Sequence, residues 1–281
     1  MPGSRFTDVR RFESVDSTNR YLLDEARSGA PEGVVAVAAH QTAGRGRLGR
    51  RWEAPPGANL LASVLLRPDL APGQRHLASA VVALAAADAV AEVTGSRPGI
   101  KWPNDLLAAD GRKLAGVLAE ADATGATATG ATATGATASG PTRGAAAPRG
   151  GLRPPVVVGI GINVNWPTTD GDVPVELAGT ATSLLRLTGR VTDVDLLLGV
   201  LLDALEPRVA DLASPGGRAR QADDLRGGCV TLGTTVRVEL AGGSFEGRAT
   251  DLTPDGHLVV EVAGTRRTVV AGDVVHVRPG A

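Results

Sequence analysis

The stretch Gly44-Arg45-Gly46-Arg47-Leu48-Gly49-Arg50-Arg51 decides which fold this chain can take. Its glycines satisfy G-x-G-x-x-G at Gly44, Gly46 and Gly49, the spacing of a dinucleotide-binding turn. That turn needs a strand before it and a helix after it, because the phosphates rest on the helix N-terminus. The strand is available in Val34-Val35-Ala36-Val37-Ala38-Ala39-His40. The helix is not: Trp52-Glu53-Ala54-Pro55-Pro56-Gly57 follows, and paired prolines cannot enter a helix interior. No Lys-Ser/Thr pair completes a Walker-type phosphate loop in this stretch either. What remains is a mobile loop, since each glycine costs a helix about 1 kcal/mol. Its guanidinium forks suit carboxylate or phosphate. A solvated basic turn is the plainer reading of the same residues.

Upstream of the loop, Phe12-Glu13-Ser14-Val15 reads as a strand and Arg20 to Ala26 as a helix ending before Gly29. Asp16-Ser17-Thr18-Asn19 lies between them. These four side chains serve equally well as a helix cap or as donors and acceptors for a polar ligand at a helix N-terminus. Downstream, Asn59 to Leu66 is a strand stopped by Pro68. Gln74 to Val93, free of glycine and proline, is the main core helix. Ile100-Lys101-Trp102-Pro103-Asn104-Asp105-Leu106-Leu107 is a strand bent at Pro103. It returns through Asp110-Gly111 as Lys113 to Glu120.

The region from about 121 to 151 breaks the pattern with Ala-Thr-Gly repeats and nothing to bury. It reads as a disordered, low-complexity insertion between paired strands. Beyond it, Val156 to Asn165 alternates sharply. Val156, Val158, Ile160, Ile162 and Val164 form an apolar face, and the odd positions from 159 onward are Gly159, Gly161, Asn163 and Asn165. Glycines sharing one strand face mark close approach of a ligand or another backbone. Helices follow near Thr182 to Leu187, and from Thr192-Asp193-Val194-Asp195 to about Leu205 with continuation past Pro207. Short valine-rich strands fill Val230 to Val277, the pattern of a small β-barrel.

The bulk numbers agree with one larger and one smaller domain in 281 residues. The expected division is residues 1–227 and 228–281. A net charge of −1 carries no electrostatic footprint for nucleic acid. With 2% aromatic residues, base-stacking platforms are scarce. The lone Cys229 excludes an internal disulfide and suits a reducing, cytoplasmic setting. It precedes a strand-like run and reads as a small buried hydrophobe. No membrane span or signal peptide is evident. His40, His76, His257 and His276 fall in separate segments without ligand spacing, so no residue is assigned to a metal.

Four motifs taken together resemble the biotin protein ligases, in the form lacking an N-terminal DNA-binding domain. They are Asp16-Ser17-Thr18-Asn19; Gln41 with Gly44-Arg45-Gly46-Arg47; Lys101-Trp102-Pro103-Asn104-Asp105 with Lys113-Leu114-Ala115-Gly116; and Gly159-Ile160-Gly161-Ile162-Asn163. Each is weak alone, and the ordered set is specific. The resemblance implies an α+β fold: a mixed sheet packed on helices, like a class II aminoacyl-tRNA synthetase, with an SH3-like C-terminal barrel. It implies a biotin–[acetyl-CoA-carboxylase] ligase using ATP, biotin and Mg²⁺. Biotin would be activated to biotinyl-5′-AMP and passed to a lysine of the biotin carboxyl carrier protein.

By the same resemblance, Ser17, Thr18, Asn19 and Gln41 hold the bicyclic end of biotin. Arg45, Gly46 and Arg47 close over carboxylate and phosphate. Lys113 bridges the two as charge accumulates, and Gly116 lets biotin lie along its strand. Arg50, Trp52, Asn104 and Asn163 are assigned to the nucleotide side, while core packing explains Trp102 equally well. The Asp16-Ser17-Thr18-Asn19 motif begins too early for a preceding helix-turn-helix, so DNA binding is not expected. The oligomeric expectation is a monomer or weak homodimer. A lipoate ligase would share the fold and the acyl-adenylate logic, but not the arginine–glycine loop beside Lys-Trp-Pro-Asn-Asp. A non-enzymatic biotin-sensing repressor would need a DNA-binding element and a basic face.

Overall fold

The computed structural model describes residues 3–121, 152–240, 242–270 and 272–276. The repeat insertion expected at about 121–151 lies, beyond Ala121, outside the described residues.

A seven-stranded sheet organises the larger unit. Its strands are β1 (Val9–Val15), β2 (Val35–Gln41), β3 (Leu60–Leu66), β4 (Gly99–Lys101), β5 (Asp105–Leu107), β6 (Lys113–Ala121) and β7 (Val156–Ile162). Their spatial order is β1-β2-β3-β7-β6-β5-β4. The β1–β2 pair is parallel and every other neighbouring pair antiparallel. The two faces separate by alternation. Val35 and Val37 enter the main core, whereas Val34 and Ala36 join Leu22, Ala26, Leu65 and Val157 under helix α1 (Thr18–Arg27). The main core lies on the other face, beneath α2 (Leu77–Thr94), with α3 (Leu184–Thr188), α4 (Val194–Asp211) and α5 (Pro215–Gly228) following in the chain. Buried alanines and valines run along α2 from Ala78 to Val90, which suits a helix packed on several sides.

Helix α1 begins at Thr18 rather than at Arg20, with Ser17 as an extended N-cap whose side chain makes no capping bond. Thr18 and Asn19 therefore sit in the first turn, with side chains turned into the sheet rather than onto their own backbone. Proline 207 lies inside α4, so the helix does continue past it. Helix α5 was not legible in the sequence. Its Pro-Gly-Gly start reads as a turn, yet Ser214 accepts from the Gly217 amide at 3.0 Å and caps it. A side chain at Gly217 would meet Asp211 O at 2.0 Å, so only glycine lets α5 turn this tightly against α4.

The smaller unit is a five-stranded antiparallel sheet. It comprises β8 (Thr235–Leu240), β9 (Gly243–Leu252), β10 (Leu258–Val262), β11 (Thr265–Val269) and β12 (Asp273–His276), in spatial order β11-β10-β9-β8-β12. It is docked on the larger unit by directional bonds. Trp102 Nε1 donates to Gly256 O at 3.0 Å, Trp102 N to Thr231 Oγ1 at 3.0 Å, and Gln74 Nε2 to Asp255 Oδ1 at 2.9 Å. Trp102 is thus a buried strut between the units.

Beside it, the His76 and His257 rings stack at 4.4 Å, and neither Nε2 has a partner. Burial first, and the neighbouring His257 second, push His76 from 6.5 down to about 4. The unfolded chain therefore takes up this proton first, and the stability carried by neutral His76 is lost as pH falls from about 6.5 towards 4. The loss is on the order of 2–3 kcal/mol. A Tm series from pH 7 to pH 4 is expected to fall more steeply for the wild type than for His76→Gln. Parallel slopes would remove His76 as the cause.

Candidate functional site

Small residues open a groove on the α1 face of the sheet. In the cross-strand register Gly159 lies between Ser63 and Leu118, and Gly161 between Leu61 and Gly116. A Cβ at Gly159 would stand 2.3 Å from Asn19 Oδ1, and one at Gly161 2.5 Å from the Trp52 ring. The bare strand face is therefore needed for what already lies over it. Ser17, Thr18, Asn19, Gln41, Arg45, Trp52 and Gly116 line this groove together with Gly159 and Gly161.

One end of the groove is a continuous polar network. The Thr18 amide donates to Gln41 Oε1 at 2.8 Å, and Thr18 Oγ1 lies 3.1 Å from the same oxygen. Ser63 Oγ lies 2.7 Å from both Thr18 Oγ1 and Asn19 Oδ1. Asn19 Nδ2 donates to Glu120 Oε2 at 2.8 Å, and Arg45 Nη1 donates to Glu120 Oε1 at 3.0 Å. Ser63 and Glu120 were missing from the sequence-based site. The signal for Ser63 was a single hydroxyl within Leu60-Leu61-Ala62-Ser63-Val64-Leu65-Leu66, a strand otherwise apolar and buried throughout. Ser63→Ala removes a fully buried hydroxyl and leaves Asn19 Oδ1 and Thr18 Oγ1 short of a partner. We expect a loss of about 1–3 kcal/mol, read as a lowered Tm, together with weaker ligand binding.

At the other end stands Lys113. Its ammonium pairs with Asp105 Oδ1 at 2.8 Å and lies 5.6 Å from the centroid of the Trp52 ring. The indole itself occupies the groove against Gly161 and Gly116. Its buried Nε1 has no hydrogen-bond partner, a donor left over where a polar group could sit. The free cavity volume that remains is about 30 Å³, room for no more than a water or two. A ligand on the glycine floor requires the Trp52 side chain to move. An open depression of about 840 Å³ beside β4 and α5 is larger, but its Arg97, Arg208, Asp88 and Asp224 are paired among themselves.

The Gly44–Arg51 loop carries backbone hydrogen bonds of its own. Gly46 N donates to Arg50 O at 2.7 Å and Trp52 N to Gly44 O at 3.0 Å, giving a narrow neck in which the Arg45 and Arg51 backbones pair as an antiparallel β-bridge. At the tip Leu48 takes φ 56°, a left-handed conformation unusual for leucine, and its side chain is exposed. Arg47 is half-buried. It donates to Asn104 Oδ1 at 3.2 Å and to Gly272 O at 2.8 Å, and burial lowers its pKa. Arg50 turns away from the groove to Asp273 Oδ2 at 2.6 Å. Asn163 is buried outside the groove, donating to Thr182 O at 2.9 Å and accepting from Asn59 at 3.2 Å. Of the sequence-based set, Gly46, Arg47, Arg50, Asn104 and Asn163 are not among the residues that line the groove, and Arg47 and Asn104 are paired with each other instead. Among the described residues no group of three or more His, Cys, Asp or Glu could hold a metal ion.

Comparison with known proteins bears on the family and the fold. Residues 11–134 match the model of the biotin/lipoate A/B protein ligase family, and residues 231–277 match the biotin protein ligase C-terminal domain. The biotin–[acetyl-CoA-carboxylase] ligase of Mycobacterium tuberculosis is 36% identical, over 98% of this chain and 91% of that one. The bifunctional ligase/repressor BirA of Bacillus subtilis is 29% identical over 92% of this chain and 71% of its own length. Among solved structures, the biotin protein ligase of Aquifex aeolicus in complex with biotin and ATP superposes with a TM-score of 0.74. It is 25% identical, with 98% of this chain and 100% of that one covered. With two-unit architecture, ordered motifs and near full-length identity in accord, this chain belongs to the biotin protein ligase family.

Proposed function

We propose that this chain is a biotin–[acetyl-CoA-carboxylase] ligase whose chemistry takes place along the Gly116–Gly159–Gly161 groove. The observation that carries the reading is the polarity of that groove. Hydroxyls and amides of Thr18, Asn19, Gln41 and Ser63 stand at one end, a side-chain-free floor follows, and the Lys113 ammonium stands at the other. Biotin has the same order, with a polar ureido ring, an aliphatic chain and a carboxylate.

In the first half-reaction a carboxylate oxygen of biotin attacks the α-phosphorus of ATP and pyrophosphate leaves. Two anions must meet, so the site needs fixed cations more than a nucleophile. Lys113 supplies one, held in place by Asp105. Arg47 supplies another from the loop, with Asn104 beside it. Arg45 reaches the groove from the same loop. In the second half-reaction a lysine amine of the carrier attacks the acyl carbon, an amide forms, AMP leaves and a proton is released. Closure of the Gly44–Arg51 loop shields the mixed anhydride from water until the amine arrives.

Mg²⁺ would enter on the ATP phosphates, where it neutralises charge, with Asp105 the nearest carboxylate to Lys113 in this site. The partner is the biotin carboxyl carrier protein of a biotin-dependent carboxylase. The balanced charge favours no DNA duplex, and we read the protein as a cytoplasmic monomer or weak homodimer. Incubation with ATP, Mg²⁺, labelled biotin and a carrier domain is expected to release pyrophosphate and label one carrier lysine. Lipoate in place of biotin is expected to do neither. Turnover with lipoate alone would overturn the reading.

A further inference from the structure

We propose that Glu120 is the resting counter-ion of Arg45, and that the carboxylate of biotin takes Arg45 from it on binding. This rests on the assignment of the groove to biotin. Glu120 divides its two oxygens between two different kinds of partner. Oε2 accepts from Asn19 Nδ2 at 2.8 Å, and Oε1 accepts from Arg45 Nη1 at 3.0 Å. Asn19 is buried and fixed by Ser63, and Glu120 stands on β6, so this half of the arrangement belongs to the rigid scaffold. Arg45 belongs to the loop, and its only ion pair among the described residues is with Glu120. The loop cation is therefore parked at the Asn19 end of the groove, while the anionic part of the substrate is read at the Lys113 end.

An ion pair of this kind is exchangeable. The Arg45 side chain is 49% exposed and that of Glu120 23%, so solvent screens the attraction and releasing it costs little. The exchange leaves Glu120 still bound to Asn19, so the polar end of the groove keeps its shape while the guanidinium moves. Glu120 thus competes with the substrate for one cation. It is a positioning residue that acts through Arg45, setting how strongly the loop answers to a carboxylate.

The role is testable by calorimetric titration with biotin and with biotinol, the alcohol that lacks the carboxylate. Glu120→Gln keeps the side-chain length and an acceptor for Asn19 but removes the competing charge. Relative to wild type it is expected to tighten biotin by about two- to fivefold, the range of an exposed ion pair. Biotinol binding should stay unchanged. The readout is the ratio of the two dissociation constants, so a general loosening of the pocket cancels. In an Arg45→Ala background the same substitution should leave the ratio where it was. Glu120→Ala serves in the same scheme should Glu120→Gln fail to fold. An unchanged ratio, or an equal change without Arg45, overturns the counter-ion role while biotin binding itself stands. Failure of the wild type to bind biotin overturns the assignment of the groove and this role with it.

Discussion

Lys113→Ala is expected to lower biotin-dependent pyrophosphate release by about 10²-fold or more, the effect of losing one preorganised group that stabilises developing negative charge. Lys113 starts β6, where the strand fixes its backbone, and Asp105 on the paired strand holds its ammonium at 2.8 Å. The position is prepared before the substrate arrives, so little reorganisation accompanies charge development. Truncation also removes the cation above the Trp52 ring and leaves Asp105 without its partner. That carboxylate would then repel phosphate, adding to the loss. Biotin binding should weaken much less than turnover, because the bicyclic end keeps Thr18, Asn19 and Gln41. Near-normal pyrophosphate release from a folded variant would remove Lys113 from the chemical step.

Arg47→Gly is expected to produce an enzyme that still makes the adenylate but releases it. The side chain fastens the loop at two points, Asn104 Oδ1 and Gly272 O, the second on the smaller unit. Loss of these charge-assisted bonds removes roughly 1.5–3 kcal/mol of ordering energy, and another glycine makes the loop costlier to order. A change of 1.4 kcal/mol in the dissociation step already speeds escape about tenfold. The remaining Lys113 sustains weakened adenylation. Serum albumin incubated with the variant, ATP and biotin should become biotinylated at lysines, and with the wild type it should not. Albumin left equally clean by a variant that forms adenylate would mean that Arg47 does not retain the intermediate.

The sheet and its main helix were legible because their signals are local. From Val158 onward the β7 stretch alternates, and Gly159 and Gly161 declare an open face whatever lies across from it. The expectation that even positions from Val156 to Val164 form one core face is met residue by residue. Helix α5 was hidden because its glycines and charges carry no clear apolar stripe. It is held by a Ser214 cap and by a glycine fitted against α4, and both are features of tertiary context. The site divides along the same line. Thr18, Asn19 and Gln41 were grouped in advance because the family resemblance assigns them to one end of the same ligand. Ser63 and Glu120 were not, since each is a lone polar residue on a strand whose meaning depends on its cross-strand neighbours. Arg50 shows the converse. Its place in the arginine-rich loop suggested the nucleotide, yet its nearest anion is Asp273, more than two hundred residues away along the chain.

The most direct test of the central claim is a crystal structure of the protein soaked or grown with biotin. The account predicts the ureido ring within hydrogen-bond reach of Thr18 and Gln41. The aliphatic chain should lie over Gly161 and Gly116, the carboxylate should sit near Lys113, and the Trp52 indole should be displaced from the glycine floor. Biotin bound elsewhere, with Trp52 still seated against Gly161, would contradict it.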